Sequence, residues 1–115
     1  MTGLADVAVE RRGKAVVARL SGEIDMTNAS YVGGELVRSV PNEASGLVVD
    51  LTETRYLDSA GIELLFELAR RLRRRRQELR LVLPPSSPLR RVLLLTEMHS
   101  VAPLDDELDS ALAHL

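Results

Sequence analysis

A mixed α/β fold is the class this sequence predicts: a single mixed β-sheet of four to five strands with about four helices packed against it. Three observations carry that expectation. The segment Leu47-Val48-Val49-Asp50-Leu51 is apolar on both faces, as a central strand covered on both sides requires. Strand-like and helix-like spacing alternate in the order β-β-α-β-α-β-α-(β)-α, which suits one sheet with helices laid against it. The chain of 115 residues is 45% hydrophobic, enough for one core and one domain over 1–115.

Each element has its own justification. Val7 and Val9 suggest a short first strand. Arg11-Arg12-Gly13-Lys14 reads as a hairpin turn, with Gly13 able to take positive φ. Ala15 to Leu20 then alternates, with Val16, Ala18 and Leu20 on one face, as in a half-buried strand. Ser21-Gly22-Glu23-Ile24-Asp25 is expected to leave that strand. From about Asn28 to Val40, Ala29, Val32, Leu36, Val37 and Val40 keep helical spacing, weakened by Gly33 and Gly34 at roughly 1 kcal/mol each. Pro41-Asn42 closes this helix.

After the buried strand, residues 59–77 place Gly61, Ile62, Leu65, Leu68, Ala69 and Leu72 on one stripe of a second helix. Leu64 and Phe66 fall at the stripe's edges. Leu79, Leu81 and Leu83 alternate as a further strand, which Pro84-Pro85 stops. Ser87 followed by Pro88 starts a third helix, which frays near Thr96. Val101-Ala102 is a candidate last strand. Asp105-Asp106-Glu107 is expected to open a final helix with Leu108, Ala111, Leu112 and Leu115 as its stripe.

Composition narrows the chemistry. The chain has no Cys, which removes disulfides, a thiolate nucleophile and Cys-based metal sites. No apolar run reaches the length of a membrane span and no secretory signal pattern opens the chain, so a cytoplasmic protein without membrane insertion is expected. The two histidines, His99 and His114, have no metal-ligand spacing, and the usual phosphate-cradle motifs are missing. Charge is uneven: residues 70–91 hold 9 bases and 1 acid, between acidic flanks. Six of the seven residues Arg70 to Arg76 are Arg, but they point all round a helix and lack interleaved aromatics, which argues against direct nucleic-acid binding.

Attention therefore falls on Asp58-Ser59, where the buried strand gives way to the longest helix. A helix start exposes unpaired N–H groups and about half a positive charge. If Asp58 caps the helix, the Ser59 hydroxyl is spare and can face solvent, and Gly61 would leave room for another protein to approach. A phosphate on Ser59 would bring about −1.5 to −2 charges at pH 7. The helix dipole favours it, while Asp58, with Glu23 and Asp25, would oppose it.

Three stretches together carry a family likeness. Leu20-Ser21-Gly22-Glu23-Ile24-Asp25 looks like a Gly-Glu-(Leu/Ile)-Asp segment following a second strand. Leu47 to Leu51 with Tyr56-Leu57-Asp58-Ser59-Ala60-Gly61-Ile62, about 35 residues on, is similar to a buried strand followed by an Asp-Ser-(Ser/Thr/Ala)-Gly-(Leu/Ile) signature. Ser87 to Leu93 matches a third helix. The sequence thus resembles the STAS domain family, and within it the bacterial anti-sigma factor antagonists.

The resemblance implies a binding module rather than an enzyme. Unphosphorylated, such an antagonist binds an anti-sigma factor that is also a serine kinase, and so frees a sigma factor. The kinase phosphorylates the position matching Ser59, and a serine phosphatase reverses it. ATP and magnesium belong to the kinase, so no cofactor or metal is expected here. Glu23, Asp25, Asp58, Ala60, Gly61 and Glu63 are the expected partner contacts. Ala60 stands where a second hydroxyl is often found, and Glu63 where a small Gly is frequent. The loop Glu97-Met98-His99-Ser100 lacks the Gly common after the third helix, and the Arg run exceeds the ordinary pattern. Two other roles fit the same fold. One is a constitutive scaffold subunit of a stressosome-like or lipid-transport assembly, using Leu64, Phe66 and the Arg run. The other is a small-ligand or nucleotide-binding module with an anion site at Asp58-Ser59. The oligomeric state is not fixed by the sequence.

Overall fold

In the computed structural model, which describes residues 5–115, the chain opens with a hairpin. Strand β1 is Ala5–Arg12 and β2 is Ala15–Ile24, paired antiparallel across a turn in which Gly13 has φ of 65°. Then follow α1 (Ala29–Arg38), β3 (Gly46–Asp50), β4 (Thr54–Leu57), α2 (Ser59–Arg74), β5 (Glu78–Val82), α3 (Pro88–Leu95), a 3-10 turn at Met98–Ser100, β6 (Leu104–Asp105) and α4 (Leu108–Ala113). One mixed sheet runs β1-β2-β3-β5-β6, with β4 also paired to β2. It has six strands where four to five are expected.

Two apolar layers flank the sheet. Val16, Ala18, Leu20, Leu47, Val49, Leu79, Leu81 and Leu83 pack under the helices α1, α2 and α3. Val17, Val48 and Val82 point the other way and are covered by Ala111, Leu108, Leu112 and Leu115 around α4. This is why β3 is apolar on both faces. It also corrects the half-buried expectation for β2, whose residues Ala15 to Ala18 are all buried.

β2 is longer than its alternation suggests. It takes β3 along Ala15 to Arg19 and β4 along Gly22 to Ile24, both parallel. The register shifts between Gly22 and Glu23, where Gly22 takes φ of 94°. Glycine alone adopts this without a steric penalty, and the bend lets one strand serve two neighbours. So Ser21-Gly22-Glu23 stays in the strand rather than leaving it. The buried Thr54 fixes the join, its hydroxyl donating to the Leu20 carbonyl at 2.7 Å.

Helix ends differ from expectation in instructive ways. α2 stops at Arg74, short of Gln77, because Arg76 turns left-handed (φ 59°). The N–H of Arg76 then bonds Arg73 O, and that of Gln77 bonds Leu72 O, both at 2.9 Å. These are the two bonds of a Schellman end. Ser87 caps α3 by accepting from the Leu89 N–H, and Pro88 takes the first helical position, as expected. The last strand is Leu104–Asp105 and not Val101-Ala102. Asp105 accordingly does not open α4. It is buried, and accepts from Arg80 Nε at 2.9 Å. No helix among the described residues is long and apolar enough to cross a membrane.

Candidate functional site

The ends of β2 and β4 converge. Because β4 pairs with the last residues of β2, Tyr56 lies beside Glu23 and Leu57 beside Ile24. This brings Asp58-Ser59 against the loop Asp25 to Asn28, although more than thirty positions separate them in the chain.

Asp58 uses both carboxylate oxygens. Oδ1 accepts from the Gly61 N–H at 3.0 Å and caps α2, and Oδ2 accepts from the Met26 N–H at 3.1 Å. The expected cap is therefore present, with a second bond that ties the β2–α1 loop to it. A cap of this kind is worth about 1 kcal/mol. Ser59 is exposed at the first position of α2, and its hydroxyl makes no hydrogen bond among the described residues. Helix geometry also leaves the N–H groups of Ser59 and Ala60 without an intrahelical acceptor.

The surrounding loop is held rigidly. Asn28 is buried; its amide donates to Glu23 O at 2.9 Å and its oxygen accepts from the Asp25 N–H at 3.0 Å. Asp25 Oδ1 accepts from the Thr27 hydroxyl at 2.6 Å and the Thr27 N–H at 2.9 Å. These donors favour the carboxylate and hold Asp25 below its ordinary 3.8, the Thr27 hydroxyl first among them.

The residues singled out in sequence are thus brought together, with different duties. Glu23 and Ala60 are half-buried and Glu63 is exposed. Gly61 is buried, and a Cβ there would stand 3.1 Å from Ile24 O and 3.1 Å from Leu57 Cδ2. Its bareness lets α2 approach its own strands, and is not space left for a second protein. Asn28 was legible only as a helix start. Its loop-closing role needs β2 and α1 in place. Met26 and Tyr56, 79% and 49% exposed, also went unforeseen, as isolated apolar residues in polar surroundings carry no periodic signal.

The Arg run divides by function. Arg70 pairs with Glu67 at 2.8 Å. Arg75 donates to Val40 O and Asn42 Oδ1, and Gln77 two residues on donates to the carbonyls of Pro41 and Ala44, so this end of α2 clamps the α1–β3 connection. Leu64 and Phe66 are half-buried against the core rather than standing free. No cluster of metal-ligating side chains occurs among the described residues.

The fold and site define a small α/β domain that presents one unengaged serine at the start of a helix. The model of the STAS domain matches residues 6–111, and the chain belongs to that family. Among solved structures, it is similar to an anti-sigma factor antagonist from Mycobacterium paratuberculosis. They share 28% identity over 96% of this chain and 92% of that one, with a TM-score of 0.84. It also resembles the Bacillus cell fate determinant SpoIIAA in its phosphorylated form, at 19% identity over 95% of this chain and 98% of that one, with a TM-score of 0.69. A sulfate transporter family protein from Wolinella succinogenes shares the fold, at 17% identity over 91% and 87% of the two chains, with a TM-score of 0.73. No curated protein matches the sequence.

Proposed function

We propose that the chain is an anti-sigma factor antagonist switched by phosphorylation of Ser59. Without phosphate it binds an anti-sigma factor that is a serine kinase, and a sigma factor is released. That kinase transfers the γ-phosphoryl group of its ATP to the Ser59 oxygen, the antagonist dissociates, and a serine phosphatase restores it. The chain does no chemistry of its own. One observation carries this reading: Asp58 satisfies the helix start with one oxygen and the Met26 N–H with the other, which leaves the exposed Ser59 hydroxyl unengaged.

The energetics favour a switch that leaves the fold intact. A phosphate at this position meets free N–H groups and the positive end of α2. It also meets the acidic rim of Glu23, Asp25, Asp58 and Glu63. Each like-charge contact at 4 Å costs between about 1 and about 4 kcal/mol, according to how much water remains. Against a partner docked over the same spot, one such contact changes affinity about fivefold at the low end of that range and several hundredfold at the high end. Ala60 leaves Ser59 as the sole serine or threonine between Tyr56 and Ile62.

The constitutive scaffold alternative draws on the transporter-family likeness, but the half-buried Leu64 and Phe66 and the committed Arg70 and Arg75 leave it less surface. Incubation with the anti-sigma kinase and ATP, followed by mass spectrometry, is expected to place one phosphate on Ser59. Ser59→Asp is expected to bind the kinase at least tenfold more weakly than Ser59→Ala. An unmodified Ser59, together with Ser59→Asp binding as well as wild type, would refute the proposal.

A further inference from the structure

Helices α1 and α2 run side by side and leave an open groove of about 820 Å³ between them. Ala29, Gly33, Gly34, Val37, Ala60 and Leu64 line it. It begins at Met26 and Ala60, beside Ser59, and ends at Arg38, Arg70 and Arg71.

The two glycines have different reasons to be there. A Cβ on Gly33 would stand 2.9 Å from Leu64 Cδ1, so Gly33 lets the helices close. The atoms nearest a Cβ on Gly34 belong to the Arg38 guanidinium, the closest at 3.2 Å. Helix packing therefore does not require Gly34, although glycine weakens a helix interior. What Gly34 does is leave its side of the groove to the long, displaceable end of Arg38 rather than to a fixed side chain.

Charge along the groove changes sign. Glu63 is exposed at the serine end. At the far end Arg38 pairs with Glu35 and Arg70 with Glu67, each at 2.8 Å, while Arg71 has no ion pair among the described residues. A helix lying from Ala60 to Arg71 would span about 16 Å, or roughly three turns. A single fatty chain would meet Glu63 and Glu67 along its tail and stay half in water, whereas an amphipathic helix keeps its polar face wet and matches both ends.

We propose that this groove docks an amphipathic helix of the anti-sigma kinase, its apolar face over Gly33 and Gly34, a basic side chain opposite Glu63 and an acidic one opposite Arg71. The inference rests on the proposed function and deepens it. A helix seated here ends beside Ser59 and leaves its hydroxyl open to the kinase, and one phosphate at the groove's mouth is placed to evict the helix.

The test is binding of the purified kinase, by calorimetry, to wild type, Gly34→Leu, Arg71→Glu and Ser59→Asp, with melting temperatures as a control. Gly34→Leu fills the groove and replaces a helix glycine, so it is expected to melt no lower than wild type yet bind at least tenfold more weakly. Arg71→Glu is expected to lose several-fold. Gly34→Leu and Arg71→Glu binding as well as wild type would overturn the groove. If Ser59→Asp alone binds normally while the groove variants fail, the phospho-switch falls and the groove stands. A wild type that does not bind the kinase overturns both. Palmitate binding or self-association lost in Gly34→Leu, with kinase binding unchanged, would assign the groove to a lipid or a second copy and refute the proposal.

Discussion

Asp58 shows how one carboxylate can serve two elements. Its removal in Asp58→Ala strips the cap from Gly61 and the anchor from the Met26 N–H together. The expected cost is about 1–2 kcal/mol by urea unfolding, with Asp58→Asn recovering part of it, since Asn also caps well. Asp25 gives a second residue-scale prediction. Its carboxylate is held below 3.8 chiefly by the Thr27 hydroxyl. Folding favours the charged form, so its contribution is in place above about pH 3.8 and is lost as pH falls through the lower folded value. Thr27→Val is expected to move the Asp25 titration, followed by carboxyl NMR, back up toward the ordinary value. No change in that titration would show that the hydroxyl is not the cause. Neither bond was legible in sequence beyond the cap itself, because Met26 and Asp58 meet only when β4 pairs with β2.

At the scale of the element, α2 carries both the site and a full stripe of the core. Leu65, Leu68 and Leu72 are buried as their spacing predicts, each such side chain contributing about 1.5–3 kcal/mol. Its C-terminus is less well suited. Arg76 adopts the left-handed conformation that costs an L-residue with a Cβ roughly 1–2 kcal/mol. Arg76→Gly is therefore expected to stabilise the protein by about 0.5–1 kcal/mol, after allowance for glycine's greater freedom when unfolded. Equal or lower stability in denaturant would contradict that account. The stop at Arg74 was not readable from the sequence, since Arg75, Arg76 and Gln77 continue the helical pattern without a glycine or proline to mark the turn.

Across the whole molecule, Arg80 and Asp105 join the far edge of the sheet. Arg80 Nε meets Asp105 at 2.9 Å and Nη1 meets Glu78, with the Arg80 side chain 11% and the Asp105 side chain 7% exposed. Asp105 and Glu78 raise the affinity of the Arg80 guanidinium for its proton, the Asp105 hydrogen bond being the main cause. Removing Asp105 leaves the buried Arg80 Nε without its acceptor while Glu78 still holds Nη1, so Asp105→Ala is expected to cost about 1–3 kcal/mol by thermal or chemical unfolding. The double change Arg80→Met with Asp105→Leu is expected to recover most of that loss, because an apolar pair strands nothing. A double variant as unstable as the single one would refute this explanation.

The sequence by itself determined the elements whose burial repeats with a period. These are the doubly covered β3, the inward stripe of α2, the capped start of α3, and the Asp58 cap of α2. Period and capping are local, so a reader of ten residues can find them. Tertiary structure alone decided the rest. Strand β4, with four residues, and β6, with two, are too short to show alternation and exist because a neighbouring strand offers hydrogen bonds. The same pairing turned Gly61 from an expected opening into a packing contact and buried Asp105, and the α1–β3 connection drew Arg75 out of the Arg run into a clamp. Those outcomes depend on segments far apart in the chain meeting across the sheet. No local pattern encodes which partner a strand edge or a long side chain will find.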